Sequence, residues 1–250
     1  PGVIALLKPL TVKNAGGEWA EKDPKVREEA QKVVQSIEAR LSVYSTVGDL
    51  YRGISLGSVL LLAAIGLAIT FGVMGVINMA HGEMVMIGAY VTFTVQEVIR
   101  DGFPGLFDYS VIIAIPLAFL VAGAVGVAME RGIIRFLYGR PLETLLATWG
   151  VSLVLQQAVR SIFGAQNREV GNPSWMSGGF ELVGGVTLTY NRLWIILFSL
   201  MVFAALIMVM RKTSLGLRMR AVTQNRRMAS AMGIRNSWVD MMTFGLGSGI

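Results

Sequence analysis

The stretch Gly75-Val76-Ile77-Asn78-Met79-Ala80-His81-Gly82-Glu83 places an amide, an imidazole and a carboxylate within six residues. It ends a run of thirty residues, 53–82, that carries no formal charge when His81 is neutral. Polar groups at the end of an apolar run, beside Gly72, Gly75 and Gly82, suit a broken membrane helix that lines a solute path or a gate. The bland alternative is a plain turn between two spans. His81 is the single histidine and the chain has no cysteine, so neither a His cluster nor a thiolate site can hold a metal. Lys212-Thr213 lacks the glycines of a phosphate-binding loop. No nucleophile–base pair or carboxylate dyad stands out. The expectation is no catalytic residue, no metal and no cofactor.

A second stretch, Leu215 to Ile234, joins Arg218, Arg220, Arg226 and Arg227 to the small residues Ala221, Ala229, Ala231 and Gly233. Ser214 can cap one helix through Met232, with Gly233 ending it. Small side chains permit close docking into a partner's groove. Attraction to phospholipid headgroups would explain the charge but not the small residues.

These groups need elements to hold them. Of 250 residues, 54% are hydrophobic and only 15% charged, with a net charge of +6 and a mean hydropathy of +0.60. That balance excludes a disordered or nucleic-acid-binding tail and fits basic loops at a membrane surface, so no nucleic-acid partner is expected. Residues 1–53 hold 15 of the 38 charged side chains. Asp23 and Pro24 can start a helix there, with Val26, Ala30, Val33, Val34, Ile37, Leu41 and Tyr44 on one face. This helix either packs on another element or lies on the membrane. Apolar segments then recur at Ile54–Asn78, Met84–Ile99, Ser110–Met129, Thr144–Phe163 and Leu193–Met210, and a sixth begins near Trp238. As one helix, residues 53–82 would run about 45 Å against a hydrocarbon core of ~30 Å, so the chain must tilt, break or turn.

The fold expected is all-α: a polytopic helical membrane protein of five to six spans. Loops 130–142 and 211–237 are basic and therefore cytoplasmic, which leaves 100–109, 164–192 and the helical extension 1–53 outside. Residues 54–250 form the transmembrane domain, with 211–237 a cytoplasmic loop inside it. Phe180–Val183 and Val186–Tyr190 around Gly184-Gly185 read as a small external β-hairpin. Ala114, Ala118, Ala122 and Gly126 form a stripe for close helix packing. Glu97 and Arg160, toward the outer ends of their spans, read as structural, and Glu143 as an N-terminal helix cap. Pro1 in place of Met, and the apolar run Thr243–Ile250, read as a fragment cut at both ends.

Asn78-Met-Ala-His-Gly-Glu83 followed by Met86-Ile-Gly-Ala-Tyr90 resembles a segment of bacterial permeases for branched-chain amino acids. Arg220-Ala221 with Ala229 and Met232-Gly233-Ile234 resembles the cytoplasmic coupling segment of that family. Within it, Gly66–Asn78, Leu142–Gly150 and the extension ending in Asp23-Pro-Lys-Val-Arg look closest to the urea branch of ATP-binding-cassette (ABC) permeases. The resemblance implies a multi-pass subunit of the bacterial inner membrane with residues 1–53 periplasmic. It implies three kinds of partner: a second permease subunit, ATP-binding subunits and a periplasmic solute-binding protein; membrane lipid is the remaining partner expected. The ATPase contact would involve Arg218, Arg220, Ala221, Ala229, Ala231, Gly233 and Ile234. A small neutral solute such as urea needs amides and hydroxyls. Asn78, His81, Glu83, Thr148, Gln156 and Gln157 are the path candidates. A branched-chain amino acid is the alternative solute, and a passive channel a third reading that leaves the coupling segment without a task.

Overall fold

The computed structural model describes residues 2–12, 23–182 and 186–250. The described residues are mostly helical: α1 (Gly2–Leu7), α2 (Pro24–Met74), α3 (His81–Gly102), α4 (Ser110–Gly132), α5 (Pro141–Phe163), α6 (Tyr190–Lys212), α7 (Ser214–Gln224), α8 (Arg226–Ala231) and α9 (Asn236–Gly249). Strands β1 (Gly179–Leu182) and β2 (Val186–Thr189) pair antiparallel, Gly179 opposite Thr189 and Leu182 opposite Val186. The Gly184-Gly185 turn expected between them lies outside the described residues. The chain divides into two compact units, residues 1–56 with 177–194, and residues 57–176 with 195–250.

In the first unit α2 starts where Asp23-Pro24 predicts. The Asp23 carboxylate accepts from the Lys25 N–H at 2.9 Å, and Pro24 takes the first helical position, where no N–H is needed. Ala30 and Val34 are buried and Ile37, Leu41 and Tyr44 half-buried, so the apolar stripe is covered in part. Val26 and Val33 are exposed. The Tyr51 hydroxyl donates to the Thr189 carbonyl at 2.8 Å and fixes the hairpin to the helix.

In the second unit, α4 packs along α9 and α3. The predicted small-residue stripe makes this possible. Ala114, Ala122 and Gly126 are buried, and a Cβ on Gly126 would lie 2.4 Å from the Ser248 Oγ. On the other side of α9, a Cβ on Gly66 would lie 2.6 Å from the Gly247 carbonyl oxygen. Lipid is as apolar as leucine, so helices inside it associate through such close packing rather than through hydrophobic burial. Met74, Val76, Ala80, Met84, Met129, Ile134 and Phe244 form one core cluster; Ile69, Met219, Val222, Ala229 and Val239 form another.

Among the described residues, three stretches are long and apolar enough to cross a membrane: Pro24–Met74, Pro104–Gly132 and Tyr190–Lys212. The expected five to six spans are therefore met for three. Helices α3 and α5 have 22 and 23 residues, a spanning length, but are diluted by polar and charged side chains. The first apolar run also ends earlier than expected, at Met74 rather than Asn78.

Candidate solute path and coupling segment

The break between α2 and α3 is made by one glycine. Gly75 has φ +68°, a left-handed conformation that a side chain disfavours, whereas Gly72 and Gly82 are helical. Inside a membrane, backbone freed by such a break must find partners nearby. Asn78 is buried; its Oδ1 accepts from the Ala80 N–H at 3.1 Å. Thr148 on α5 is also buried, and its hydroxyl accepts from the Met79 N–H at 3.2 Å and donates toward the Leu145 and Ile77 carbonyls. The His81 Nε2 stands 2.9 Å from the Ala63 carbonyl oxygen, which can only accept, so the ring proton sits on Nε2. The Asn78 amide nitrogen and the His81 Nδ1 are buried with no hydrogen-bond partner among the described residues.

One turn into α3, Glu83 meets α5. Its Oε1 accepts from the Ser152 hydroxyl at 2.7 Å and from the Gln156 amide at 2.6 Å, and Gln156 also reaches the Ser152 oxygen at 3.3 Å. Thr144, Thr148, Ser152, Gln156 and Arg160 recur every four residues, so α5 presents one polar stripe. Its C-terminal part borders a cavity of about 350 Å³, lined by Glu83, Met86, Tyr90, Gln156, Val159 and Arg160 and by the 164–167 loop. The cavity lining leaves out Gln157, which is exposed on α5. Of the path candidates, then, Asn78, His81 and Thr148 hold the break, and Glu83 and Gln156 face the cavity. Ser152 was not anticipated.

The segment that follows this loop is anchored. Gln96, buried on α3, donates to the Gly171 carbonyl at 2.9 Å and accepts from the Gly171 N–H at 2.8 Å. The Asp108 carboxylate accepts from the Ser174 N–H at 2.8 Å, and its carbonyl from the Trp175 indole at 2.7 Å. Glu97 is exposed. Glu143 does not cap α5. It lies in the first turn and pairs with Arg140 at 3.0 Å, while Pro141 opens the helix.

The 211–237 segment departs from the single helix expected. Asn225 adopts φ −156°, ψ 100°, and its side chain accepts from the Met228 N–H at 3.0 Å, which ends α7 and caps α8. The α7 cap is Thr213, not Ser214; its hydroxyl accepts from the Gly216 N–H at 3.3 Å. Gly233 has φ +85° and closes the segment. Arg220 donates to the Met210 carbonyl at the end of α6, and the Arg218 guanidinium lies 5.5 Å from the Trp238 ring centre. Ala229 faces inward and is buried; Ala221 and Ile234 pack against the same cluster. Ala231 and Gly233 are exposed, as are Met228 and Met232.

A buried charge network sits under α8. Arg226 pairs with Asp240 of α9 and lies over the Tyr138 ring at 4.8 Å, and the Tyr138 hydroxyl donates to Glu130 of α4 at 3.1 Å. Glu130 and Asp240 are each 1% exposed. Burial, then the nearby Asp240 and Glu130 charges, push the Tyr138 phenol well above its ordinary range, so it stays a donor.

A family model described as branched-chain amino acid transport system / permease component matches residues 50–250. The chain is 28% identical over 213 residues to the high-affinity branched-chain amino acid transport system permease protein BraD of Pseudomonas aeruginosa, covering 83% of this chain and 69% of BraD. It is 32% identical over 209 residues to the permease protein LivH of the corresponding Escherichia coli K12 system, covering 80% of this chain and 66% of LivH. A probable LivH of Methanocaldococcus jannaschii is 24% identical over 189 residues, covering 71% of this chain and 55% of that protein. The chain thus spans about two thirds of the length of BraD and of the E. coli LivH. No solved structure matches it. The names of these relatives carry branched-chain amino acids, and the urea reading gains no support from them.

Proposed function

The chain belongs to the branched-chain amino acid transport permease family, and on that premise we propose that it is the membrane subunit of an ABC importer carrying a branched-chain amino acid. The observation that carries this reading is the family match across residues 50–250, with relatives named for that transport. The subunit sits in the bacterial inner membrane, pairs with a second permease subunit and receives solute from a periplasmic binding protein. ATP hydrolysis belongs to partner subunits. The 1–53 extension and the 164–192 loop face the periplasm, and the 130–142 and 211–237 loops the cytoplasm. Solute passes the break at 75–80 and the polar stripe of α5. The exposed face of α8, with Met228 and Ala231, and the Met232-Gly233 turn after it, meets the ATPase. ATP binding favours one arrangement of the spans and its hydrolysis the other, so α7 and α8 transmit the difference in nucleotide affinity between the two states.

Urea is the second reading. It rests on the Gly66–Asn78 and Leu142–Gly150 segments and on the residues before 50, which the family match does not reach. Uptake of labelled leucine and labelled urea, in cells with and without the full-length gene, tests both. Loss of leucine uptake on deletion is the expected result. Loss of urea uptake alone would replace the solute and keep the importer. Loss of neither would remove the transport reading.

A further inference from the structure

Neighbouring side chains hold the Glu83 carboxylate by one oxygen only. Ser152 and Gln156 both donate to Oε1. Both neighbours act as donors, so the carboxylate is fixed as an acceptor, and no other described residue donates to Oε2. Glu83 is half-buried and borders the cavity of about 350 Å³, within the ~300–1,000 Å³ typical of ligand sites. Across that lining, one turn beyond Gln156, stands Arg160. Its guanidinium makes no hydrogen bond, ion pair or ring contact with a described residue, although it can offer five N–H donors. Met86 and Val159 supply apolar wall between them, and Tyr90 is held by stacking on Phe163 at 4.5 Å. A structural role for both charges would have them pair with each other or with neighbours. Instead one acceptor and one donor are left open on the same cavity.

We propose that Glu83 and Arg160 are the two ends of a solute-binding site within the permease itself, Glu83 accepting the solute's N–H groups and Arg160 binding its oxygen. This rests on the permease reading above and adds that the membrane subunit selects its solute rather than passing on whatever is delivered. Two solutes share the chemistry. An α-amino acid offers an ammonium and a carboxylate, with Met86 and Val159 against its aliphatic chain. Urea offers two amide groups and a carbonyl. Ser152 and Gln156 act as positioning residues, because they aim the carboxylate without themselves being left open.

The test uses the complete transporter, with both permease subunits, its ATPase and its binding protein, in proteoliposomes. Initial rates of ATP-driven uptake are measured for labelled leucine and labelled urea over a range of concentrations. For whichever solute the wild type carries, Glu83→Gln and Arg160→Gln should each lower kcat/KM about 10- to 100-fold, the loss expected for a charge-assisted hydrogen bond. Glu83→Asp should retain part of the activity. Glu97→Gln, an exposed acid on the same helix, should match wild type. Co-purification of the assembled complex checks that each variant folds. On the leucine arm, 4-methylpentanoate lacks the ammonium, so its inhibition relative to leucine should strengthen in Glu83→Gln. Wild-type transport with assembled Glu83→Gln and Arg160→Gln complexes within twofold of it would overturn the site and leave the importer intact. A wild type that moves neither solute would overturn the permease reading, and the site with it.

Discussion

At the scale of single residues, the break depends on Gly75. Its φ is left-handed, and a Cβ there would meet no atom within 4 Å, so a side chain would suffer backbone strain alone. Gly75→Ala should therefore destabilise by about 1–2 kcal/mol. Gly72 is three residues earlier, helical and equally open. Gly72→Ala should instead stabilise, by up to about 1 kcal/mol of helix propensity. Thermal midpoints of the purified complex should move in opposite directions for the two variants. The break was legible in the sequence because length and glycine content forced it, although the sequence offered three glycines and the backbone uses one. Glu83 and Gln156 were also legible, as polar groups in apolar runs. Ser152 was not, since a lone serine in a spanning segment reads as filler. The signal was its place in the four-residue recurrence from Thr144 to Arg160, which only a partner at Glu83 turns into a site.

At the scale of elements, α8 is a six-residue helix that cannot hold itself together. Asn225 starts it, Gly233 ends it, and Arg226 ties it to Asp240 on α9. Removing one partner of a buried pair leaves the other charge uncompensated, at a cost of roughly 3–5 kcal/mol when both are fully buried. Arg226 still reaches solvent, so Asp240→Asn belongs below that range. Its expected effect is on coupling: ATP hydrolysis by the assembled transporter should continue while solute moved per ATP falls several-fold. Restored stoichiometry in the exchanged pair, Arg226→Asp with Asp240→Arg, would support the tie, and unchanged stoichiometry in Asp240→Asn would exclude it. Sequence reasoning missed this network because Glu130 and Asp240 are isolated acids whose partners are distant in the chain. It also read 214–232 as one helix, because no proline or glycine marks the division and an asparagine does so only through its side-chain cap.

For the whole molecule, orientation is the claim on which the rest depends. The chain has no cysteine, so single introduced thiols report cleanly. Asn172 and Arg227 are both exposed. Asn172→Cys should react with a membrane-impermeant maleimide in intact cells, after outer-membrane permeabilisation alone. Arg227→Cys should react only once the inner membrane is opened. The reverse pattern would invert the topology and move the cavity to the cytoplasmic side. Within the second unit, α9 lies against α2 and α4 where backbone meets backbone, at Gly66 with Gly247 and at Gly123 with Gly245. Interlocked side chains resist sliding, whereas bare backbone offers nothing to unlock. Such an interface works as a bearing. At those two points it would let α9 shear by ~1–2 Å along its neighbours, the scale of helix shift used in known switching proteins. One added methyl group at Gly66 or Gly247 would turn the bearing into a brake.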